Sequence, residues 1–358
     1  MRIVLKREYN DYIKVFDRPI KWCWVALLLI LLFFIPFFGG TYFLSLMTMA
    51  GFYTIIGLSL ILLTGLAGQI SLGHAAFYAV GAYSSCIFVS KLGLPFLLAM
   101  ILSGGVACMV GLVVGIPSLR LKDLYLAIAT MAMAFIIEDV ITKWESLTGG
   151  TFGLSVPPAS IGGFVFDTEP KYYYLVMVIV VITMMLAKNI QRSGYGRALA
   201  ALRESEIASQ AMGINVTYYK ISIFGLSAFY AGIAGSLYAH YAGFITPENF
   251  TFLLSINFLI LIIVGGLGSV VGAVLGGLYM SLIPEGVKII TQMLPGFLEG
   301  IIGLDLIFYA LILLAFISYQ PEGFHGLWLK MKFYWDHFPL YKKGTFRKER
   351  KFYRKKIK

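Results

Sequence analysis

Nearly all the basic residues of this chain can be placed on one side of a membrane, and this asymmetry constrains its fold most strongly. Ten apolar segments run along the 358 residues, and four basic clusters interrupt them. If every cluster faces the same side, 25 of the 29 lysine and arginine residues lie there. Loops rich in lysine and arginine stay in the cytoplasm, so the clusters and both termini are expected inside. We predict an all-α, polytopic transmembrane helical bundle of about ten spans.

The lengths of the apolar segments support this prediction, because a helix needs about 20 apolar residues to cross the bilayer. The predicted spans cover residues 22–38, 42–63, 72–89, 95–116, 124–142, 171–187, 221–240, 251–264, 270–290 and 301–319. Gly265-Gly266-Leu267-Gly268 follows the eighth segment and is expected to break that helix within the bilayer. The chain thus divides into a basic cytoplasmic N-terminus (1–21), a membrane domain (22–319) and a basic cytoplasmic tail (320–358).

Two longer polar segments connect the predicted spans. The outer segment, about 143–170, is rich in glycine and proline pairs, which predict a loop with at most a short helix. The inner segment, about 188–220, has a mixed spacing that predicts one or two short amphipathic helices outside the lipid. Small and charged residues on them favour a docking surface over an ordinary solvated loop. The candidate docking residues are Arg197, Ala198, Arg203, Glu204, Ala208, Ala211 and Gly213.

A glycine-rich motif joins the second and third predicted spans. It runs from Gly65 to Phe77 as GLAGQISLGHAAF. Polar groups at membrane depth are costly unless they pack on protein or line a wet cavity. Two interpretations stay open: a broken helix beside a pathway, or a tight cytoplasmic hairpin before a packed helix. A lone histidine here favours structural hydrogen bonding over metal ligation. The candidate pathway residues are Gly68, Gln69, Ser71, Gly73 and His74.

A second glycine pattern favours helix packing over ligand binding. Gly268, Gly272 and Gly276 are four residues apart, so they would form a groove along one helix face. A groove of this kind lets another helix backbone approach closely, within the chain or from a partner.

Several classes of protein are disfavoured. The net charge of +11 lies beside apolar spans, which favours anionic lipid headgroups over nucleic acid. The chain has no G-x-x-x-x-G-K-[ST] loop, so another chain would have to bind any ATP and magnesium. The segment around His240 is similar to that of intramembrane proteases, but no G-x-S-G nucleophile motif accompanies it. Carboxylates expected of a proton-coupled transporter are not found near mid-span. No cofactor, metal site or catalytic residue is predicted.

The glycine-rich motif, followed by Gly81-Ala82-Tyr83, resembles the permease subunits of branched-chain amino acid ABC importers, of the LivM type. Similar stretches continue in order through residues 42–328, including Tyr238-Ala239-His240 and Pro321-Glu322-Gly323. The resemblance implies a non-catalytic transmembrane permease domain in the plasma (inner) membrane. It implies that segment 196–216 is the coupling loop that seats on an ATPase.

The same resemblance implies partners: a LivH-type second permease, two cytoplasmic ABC ATPases and an extracytoplasmic amino-acid-binding protein. The loop departs from the E-A-A-x3-G form of many importers, with Glu206-Ile207-Ala208 and Gly213 instead. The resemblance also implies branched-chain amino acids as the substrates, and urea, other amides or other amino acids are the alternatives. A stand-alone secondary transporter is the alternative from another class.

Overall fold

The fold is built almost entirely from helices. The computed structural model describes residues 30, 32–37, 39–121, 123–292, 304–320 and 323–337. The first predicted span, 22–38, lies mostly outside these residues. The predicted basic N-terminus and the tail beyond 337 lie outside them as well.

Thirteen helices are named here in chain order from Thr41 onward. They are α1 (Thr41–Leu60), α2 (His74–Ser90), α3 (Phe96–Gly115), α4 (Asp123–Lys143), α5 (Glu145–Thr148), α6 (Glu169–Arg192), α7 (Gly194–Glu204), α8 (Glu206–Ala211), α9 (Val216–Ala242), α10 (Phe252–Gly265), α11 (Val270–Gln292), α12 (Leu304–Tyr319) and α13 (Gly323–His337). A π-helical turn, Ile61–Leu66, extends α1, and short 3-10 turns cover Pro117–Leu119, Gly150–Phe152 and Pro247–Phe250.

Seven stretches within the described residues are long and apolar enough to cross a membrane. They are Thr41–Leu66, Phe96–Gly115, Leu124–Lys143, Glu169–Arg192, Val216–Ala242, Pro247–Gly265 and Val270–Ile289. The predicted third and tenth spans are also helical, as α2 and α12, but they contain only 17 and 16 residues. The protein is therefore a multi-pass membrane protein, and the count of ten spans stays a prediction.

Contacts at the two ends of the bundle agree with the predicted division of the loops between the inner and the outer side of the membrane. At one end, Arg203 reaches the Gly65 carbonyl, and Gly65 lies against Gly268. At the other end, the Lys91 ammonium donates to the Ser146 carbonyl over 3.0 Å. The predicted inner loops thus meet one another, and the predicted outer loops do the same.

The outer segment contains more regular structure than the sequence analysis predicted. Besides α5, it has β1 (Leu154–Ser155), β2 (Ser160–Ile161) and β3 (Phe164–Val165). Strands β2 and β3 form a hairpin, and β1 pairs antiparallel with β4 (Phe244–Ile245). The prediction of a loop with at most a short helix was wrong here, because two-residue strands leave no periodic pattern. The pairing ties the segment to the end of α9.

Helix α9 lies at the centre of the bundle, packed against α1, α2 and α3. In the most apolar stretch of each helix, 72% of the residues are buried in α9 and 83% in α1 with its π turn. In α4 only 28% are buried. Lipid tails are as apolar as leucine, so close packing rather than the hydrophobic effect holds such helices together. Helix α4 therefore presents most of its surface to lipid or to another subunit.

Small residues allow that close packing. A methyl group at Gly235 of α9 would overlap the carbonyl oxygen of Tyr78 in α2, and one at Gly81 would overlap the backbone of Gly232. On the side of α9 that faces α3, a methyl group at Gly115 would lie 3.2 Å from Cβ of the fully buried Phe224. The seam between α2 and α9 is thus fixed by backbone contact.

Of the three glycines spaced four apart after α10, only two lie on a helix. Gly272 and Gly276 lie in α11, where they press on the backbone of Gly265 and Leu261. Gly268 lies before the first residue of α11, with a φ of +88°. The prediction that all three glycines line one helix was therefore wrong for Gly268, which instead contacts Gly65.

We expect Gly235→Ala to lower stability by about 1–3 kcal/mol, because an added methyl in a filled interface forces the two backbones apart. Gly105→Ala is the control, since its methyl would meet nothing within 4 Å. Thermal unfolding of the two purified variants in detergent measures the difference. Equal midpoints would contradict the close contact.

Candidate functional site

The glycine-rich motif forms a break between α1 and α2. The chain widens into the π turn Ile61–Leu66, leaves the helix at Gly68 and becomes helical again at His74. Gly68 has a φ of +71°, which L side chains rarely adopt. The polar side chains of the segment are buried, with Gln69 at 6%, Ser71 at 1% and His74 at 0% exposure. The structure therefore has a buried, non-helical connection between two successive helices, placed at the end of the bundle where the predicted inner loops meet.

Backbone groups in the break have lost their helical hydrogen-bond partners, and hydroxyl side chains replace them. The Thr64 hydroxyl donates to the Gln69 carbonyl over 3.0 Å. The Leu72 amide donates to the Thr130 hydroxyl of α4, also over 3.0 Å. The Ala75 amide, which opens α2, donates to the Ser255 hydroxyl of α10 over 3.0 Å. Backbone groups without partners cost several kcal/mol in such surroundings, so these contacts make the break possible.

Both ring nitrogens of His74 lie within reach of serine hydroxyls. Its Nδ1 lies 3.1 Å from the Ser71 hydroxyl, and its Nε2 lies 3.4 Å from the Ser227 hydroxyl of α9. The Ser59 hydroxyl of α1 donates to the Ser227 carbonyl over 2.7 Å. Within the described residues there is no group of three His, Cys, Asp or Glu side chains that could hold a metal ion. His74 thus joins the break to the central helix.

The Gln69 side chain differs from its neighbours. Its Oε1 is buried and has no hydrogen-bond partner among the described residues. Leaving a buried acceptor unpaired costs about 1–3 kcal/mol. The break therefore carries one unfavourable group in this conformation.

The predicted inner segment forms the two short helices α7 and α8, which confirms the amphipathic pattern. Each begins with a side-chain cap: the Ser193 hydroxyl accepts from the Gly196 amide, and the Ser205 hydroxyl from the Ala208 amide, both over 3.3 Å. Such caps contribute about 1 kcal/mol each. Asn215 caps α9 in the same way. The two helices are therefore separately defined units.

Helix α7 is anchored to the bundle through its buried side. Leu199 and Leu202 are 0% and 5% exposed. The Tyr195 hydroxyl lies 2.7 Å from that of Ser222 in α9, and its ring lies 5.2 Å from that of Tyr219. Burial raises the pKa of Tyr195 to about 12, so the hydroxyl keeps its proton well into the alkaline range.

An ion pair anchors α8. The Lys220 ammonium of α9 lies 2.7 Å from the Glu206 carboxylate, with the two side chains 7% and 33% exposed. Burying one partner of an ion pair is costly unless the other stays in place. The pair therefore holds the first turn of α8 close to the start of α9.

Arg203 connects α7 to the break. Its guanidinium donates to the Gly65 carbonyl, which lies in the last turn before the helix ends, and its Cγ lies 2.9 Å from where a Gly68 side chain would begin. Gly65 in turn lies against Gly268, between α10 and α11. The sequence analysis placed these residues in separate motifs, and the structure brings them together. Gly65 was not among the predicted site residues.

The surface of α7 and α8 that faces away from the bundle is partly apolar. Ile207 and Met212 are 82% and 81% exposed, and Ala208, Ala211 and Gly213 are exposed beside them. Ala198, on the predicted small-residue face of α7, is only half-exposed. Arg197 and Glu204 are exposed. The predicted docking residues are thus divided, and the exposed apolar patch belongs to α8 and the turn after it.

Sequence analysis also missed the residues of other helices that hydrogen-bond to the break. They are Thr130, Ser227 and Ser255. Each is a buried hydroxyl residue within an apolar span. That context was a usable signal, since a lone serine or threonine in a span often hydrogen-bonds to a backbone nearby. Lys220 gave a similar signal at the start of α9.

His240 occupies a different position, near the predicted outer end. Its Nδ1 lies 2.7 Å from the Pro157 carbonyl, and its Nε2 lies 3.0 Å from the Ser85 hydroxyl. Because a carbonyl only accepts, Nδ1 carries the proton, and Ser85 donates to Nε2. Ser85 is fully buried, and Ser236 donates to it over 2.7 Å. This chain of bonds ties the outer segment to α2 and α9.

We expect Gly68→Ala to loosen α7 as well as strain the break. A non-glycine residue in the left-handed region costs about 1–2 kcal/mol, and here the methyl would also displace the Arg203 side chain. Gly93→Ala is the control, because Gly93 has a φ of +64° and open space around it. Hydrogen exchange should rise across 194–204 in the Gly68 variant only. A rise in both variants, or in neither, would contradict the Arg203 contact.

Replacement of Glu206 by Gln should destabilise α8 by about 1–3 kcal/mol, because it leaves the buried Lys220 charge without its carboxylate. Faster amide exchange over 206–211 reports the loss. Lys143→Gln is the matched control, since Lys143 and Asp139 form an exposed pair with side chains 75% and 58% accessible. Exposed pairs contribute roughly 0–1 kcal/mol, so this control should change little. Equal effects would contradict the assigned role of burial.

The membrane domain is similar in sequence to known proteins. The family model described as "Branched-chain amino acid transport system / permease component" matches residues 42–317. The permease proteins LivM of Salmonella typhimurium and Escherichia coli, both described as high-affinity branched-chain amino acid transport system permeases, are 33% and 32% identical over 269 residues. These matches cover 68% of this chain and 63% of each relative, less than two thirds of its length.

A second type of relative matches less closely. The permease protein LivH of Salmonella typhimurium is 24% identical over 254 residues, which is 65% of this chain and 81% of that protein. No solved structure gives a significant match.

Proposed function

The chain belongs to the branched-chain amino acid transport permease family, and from this we propose that it is the transmembrane permease subunit of an ATP-driven importer. The observation that supports the proposal most directly is the arrangement of α7 and α8. They form a capped, anchored unit beside the bundle, with an apolar patch on its outer surface and Arg203 on the helix break. An ATPase subunit that binds α7 and α8 could therefore move the break.

The apolar patch is the proposed docking surface for a separate ATPase. Ile207 and Met212 are almost fully exposed, and the smaller Ala208 and Ala211 leave space between them. Apolar side chains of this kind gain free energy when another protein covers them, at about 25 cal/mol for each Å². Arg197 and Glu204 would form a polar rim that fixes the orientation. ATP and magnesium would be bound by the ATPase subunits rather than by this chain.

We propose that Arg203 passes the movement of α7 to the break. It is bonded to the Gly65 carbonyl, and the break holds α1, α2, α4 and α10 together through the bonds at Leu72 and Ala75. A shift of α7 would pull on Gly65 and change how these helices meet. The unpaired Oε1 of Gln69 would gain a partner in the second arrangement, which would lower its free energy.

The remaining parts of the assembly are also proposals. The similarity to LivH supports a second permease of that type as partner, and the exposed helix α4 would pack against it. Two ATPases and an extracytoplasmic amino-acid-binding protein would complete the importer. The basic clusters support an inner (plasma) membrane location with both termini and the α7–α8 unit in the cytoplasm.

Branched-chain amino acids are the proposed substrates, because the matching relatives are described as branched-chain amino acid permeases. Uptake of labelled leucine by the reconstituted complex tests this. Unlabelled isoleucine and valine should compete, and urea should not. Competition by urea, with none by valine, would replace the proposed substrate class while leaving the importer intact.

Ile207→Asp should abolish co-purification of the ATPase with the permease, because a carboxylate would be buried without a partner when the patch is covered. Phe152→Asp is the matched control, since Phe152 is 89% exposed at the opposite end of the bundle. Both variants should reach the membrane at the level of the unmodified chain. Undiminished ATPase binding by Ile207→Asp would contradict the assigned docking surface.

A further inference from the structure

A cavity lies between the start of α6 and the end of α9, at the predicted outer end of the bundle. Its volume is about 230 Å³, and residues of the outer segment form its remaining wall. Liquid water takes about 30 Å³ per molecule, so the cavity has room for a small organic solute. Asp167 and Thr168 line the cavity and are exposed, so it is open to the surface.

The two helix ends that frame the cavity are set by local sequence. Pro170 lies in the first turn of α6, where its missing N–H costs no helical hydrogen bond. Gly243 ends α9 with a φ of +70°, a common way for a helix to stop. The Gly243 carbonyl accepts from the Val156 amide over 2.9 Å. Backbone geometry therefore holds the walls of the cavity in place.

One carboxylate in the wall has no cationic partner. Glu169 is half-buried, and the Tyr241 hydroxyl donates to its carboxylate, 3.1 and 3.0 Å from the two oxygens. A single hydroxyl leaves most of the acceptor capacity of a carboxylate unused. Among the described residues, no lysine or arginine forms an ion pair with Glu169. The cavity therefore favours a positively charged ligand.

The other titratable groups in the wall leave that negative charge in place. Asp167 is balanced by the Lys171 ammonium, which lies 2.7 Å from its carboxylate. His240 is neutral in this arrangement, because one ring nitrogen donates a hydrogen bond and the other accepts one. The wall thus has one uncompensated charge, which matches a monocation. A zwitterion would bring its own carboxylate close to Glu169, and like charges repel.

Aromatic rings form the apolar part of the wall. Phe166, Tyr172 and Tyr241 all line the cavity. The rings of Tyr172 and Tyr241 lie 5.3 Å apart, and they pack on the Phe52 ring at 6.5 and 5.5 Å. The Tyr172 hydroxyl donates to the Leu237 carbonyl over 2.6 Å, which fixes its ring. Aromatic rings attract cations, and surfaces rich in them recognise alkylated ammonium groups.

We propose that this cavity is a binding site for a small organic ammonium ion. Glu169 supplies the opposite charge, and the three aromatic rings cover the alkyl groups of the ligand. The ammonium can belong to a free solute or to a lipid headgroup, because α6 and α9 reach the membrane surface here. The site is separate from α7, α8 and the break at the other end of the bundle, and it does not depend on what the protein transports.

The first test measures choline binding to the full-length chain in a neutral maltoside detergent, by saturation-transfer NMR. Glu169→Gln should raise the dissociation constant by about tenfold, because it removes a contact between opposite charges. Glu248→Gln is the matched control and should change nothing, since Glu248 is exposed at the same end but does not line the cavity. Equal choline binding by the two variants would overturn the proposal.

Competition checks the charge of the ligand. Tetramethylammonium should displace choline from the unmodified chain. The neutral analogue of choline, with a tert-butyl group in place of trimethylammonium, should displace little, and so should zwitterionic leucine. If either competes as well as tetramethylammonium, the assignment to a monocation is wrong.

A second pair of variants keeps the test decisive if Glu169→Gln fails to fold. Tyr241→Leu removes an aromatic ring from the wall and should weaken choline binding by about threefold or more. Tyr241→Phe loses only the hydroxyl, so it should bind choline as the unmodified chain does. Equal binding by the Leu and Phe variants would contradict the role of the ring.

Nanodiscs separate the two sources of the ammonium group. In phosphatidylglycerol, which has no ammonium, the unmodified chain should bind choline more tightly than Glu169→Gln does. If a lipid headgroup is the ligand, phosphatidylcholine nanodiscs should abolish this difference. If a free solute is the ligand, the difference should persist in both lipids. No difference in phosphatidylglycerol would overturn the site itself.

Discussion

The bond between the Arg203 guanidinium and the Gly65 carbonyl joins the two parts of the structure on which the account depends. Gly65 lies in the last turn before the helix ends at Ala67, where backbone carbonyls have no partner within the helix. Arg203 lies on a helix outside the membrane bundle. A charged donor on a buried backbone acceptor is stronger than a neutral bond, so the two parts should move as one. Without this contact, α7 would still be anchored through Leu199, Leu202 and Tyr195, but it would have no hydrogen bond to the break.

The break that Arg203 holds is costly to build in a membrane protein. Its amides and carbonyls are satisfied by Thr64, Thr130 and Ser255, which come from three different helices. His74 adds a link to α9 through Ser227. Any rearrangement of the break must exchange these bonds together, which favours two discrete arrangements over a continuous range. At the α2–α9 seam, by contrast, Gly235 and Gly81 place backbone directly against backbone.

Much of the helical framework was predictable, because a span needs a long apolar run and the basic clusters mark where runs end. The two helices of the inner segment were predictable from their mixed polar and apolar spacing, and in the structure Ser193 and Ser205 cap them. The site was harder to predict from the sequence. Arg203 and Gly68 were each noticed, but their contact joins positions 135 residues apart, and no local pattern encodes such a distance. The short outer strands and the place of Gly268 were mispredicted because both depend on tertiary pairing.

The most direct test of the account is the number of ATP molecules hydrolysed for each substrate molecule taken up by the reconstituted complex with Arg203→Ala. If Arg203 transmits the movement of α7 to the break, ATPase subunits should still bind and hydrolyse ATP, while uptake falls by about tenfold or more, as loss of a charged hydrogen bond of roughly 1.5–3 kcal/mol would allow. The ratio would then rise sharply. An unchanged ratio, with uptake and hydrolysis both preserved, would contradict the central claim.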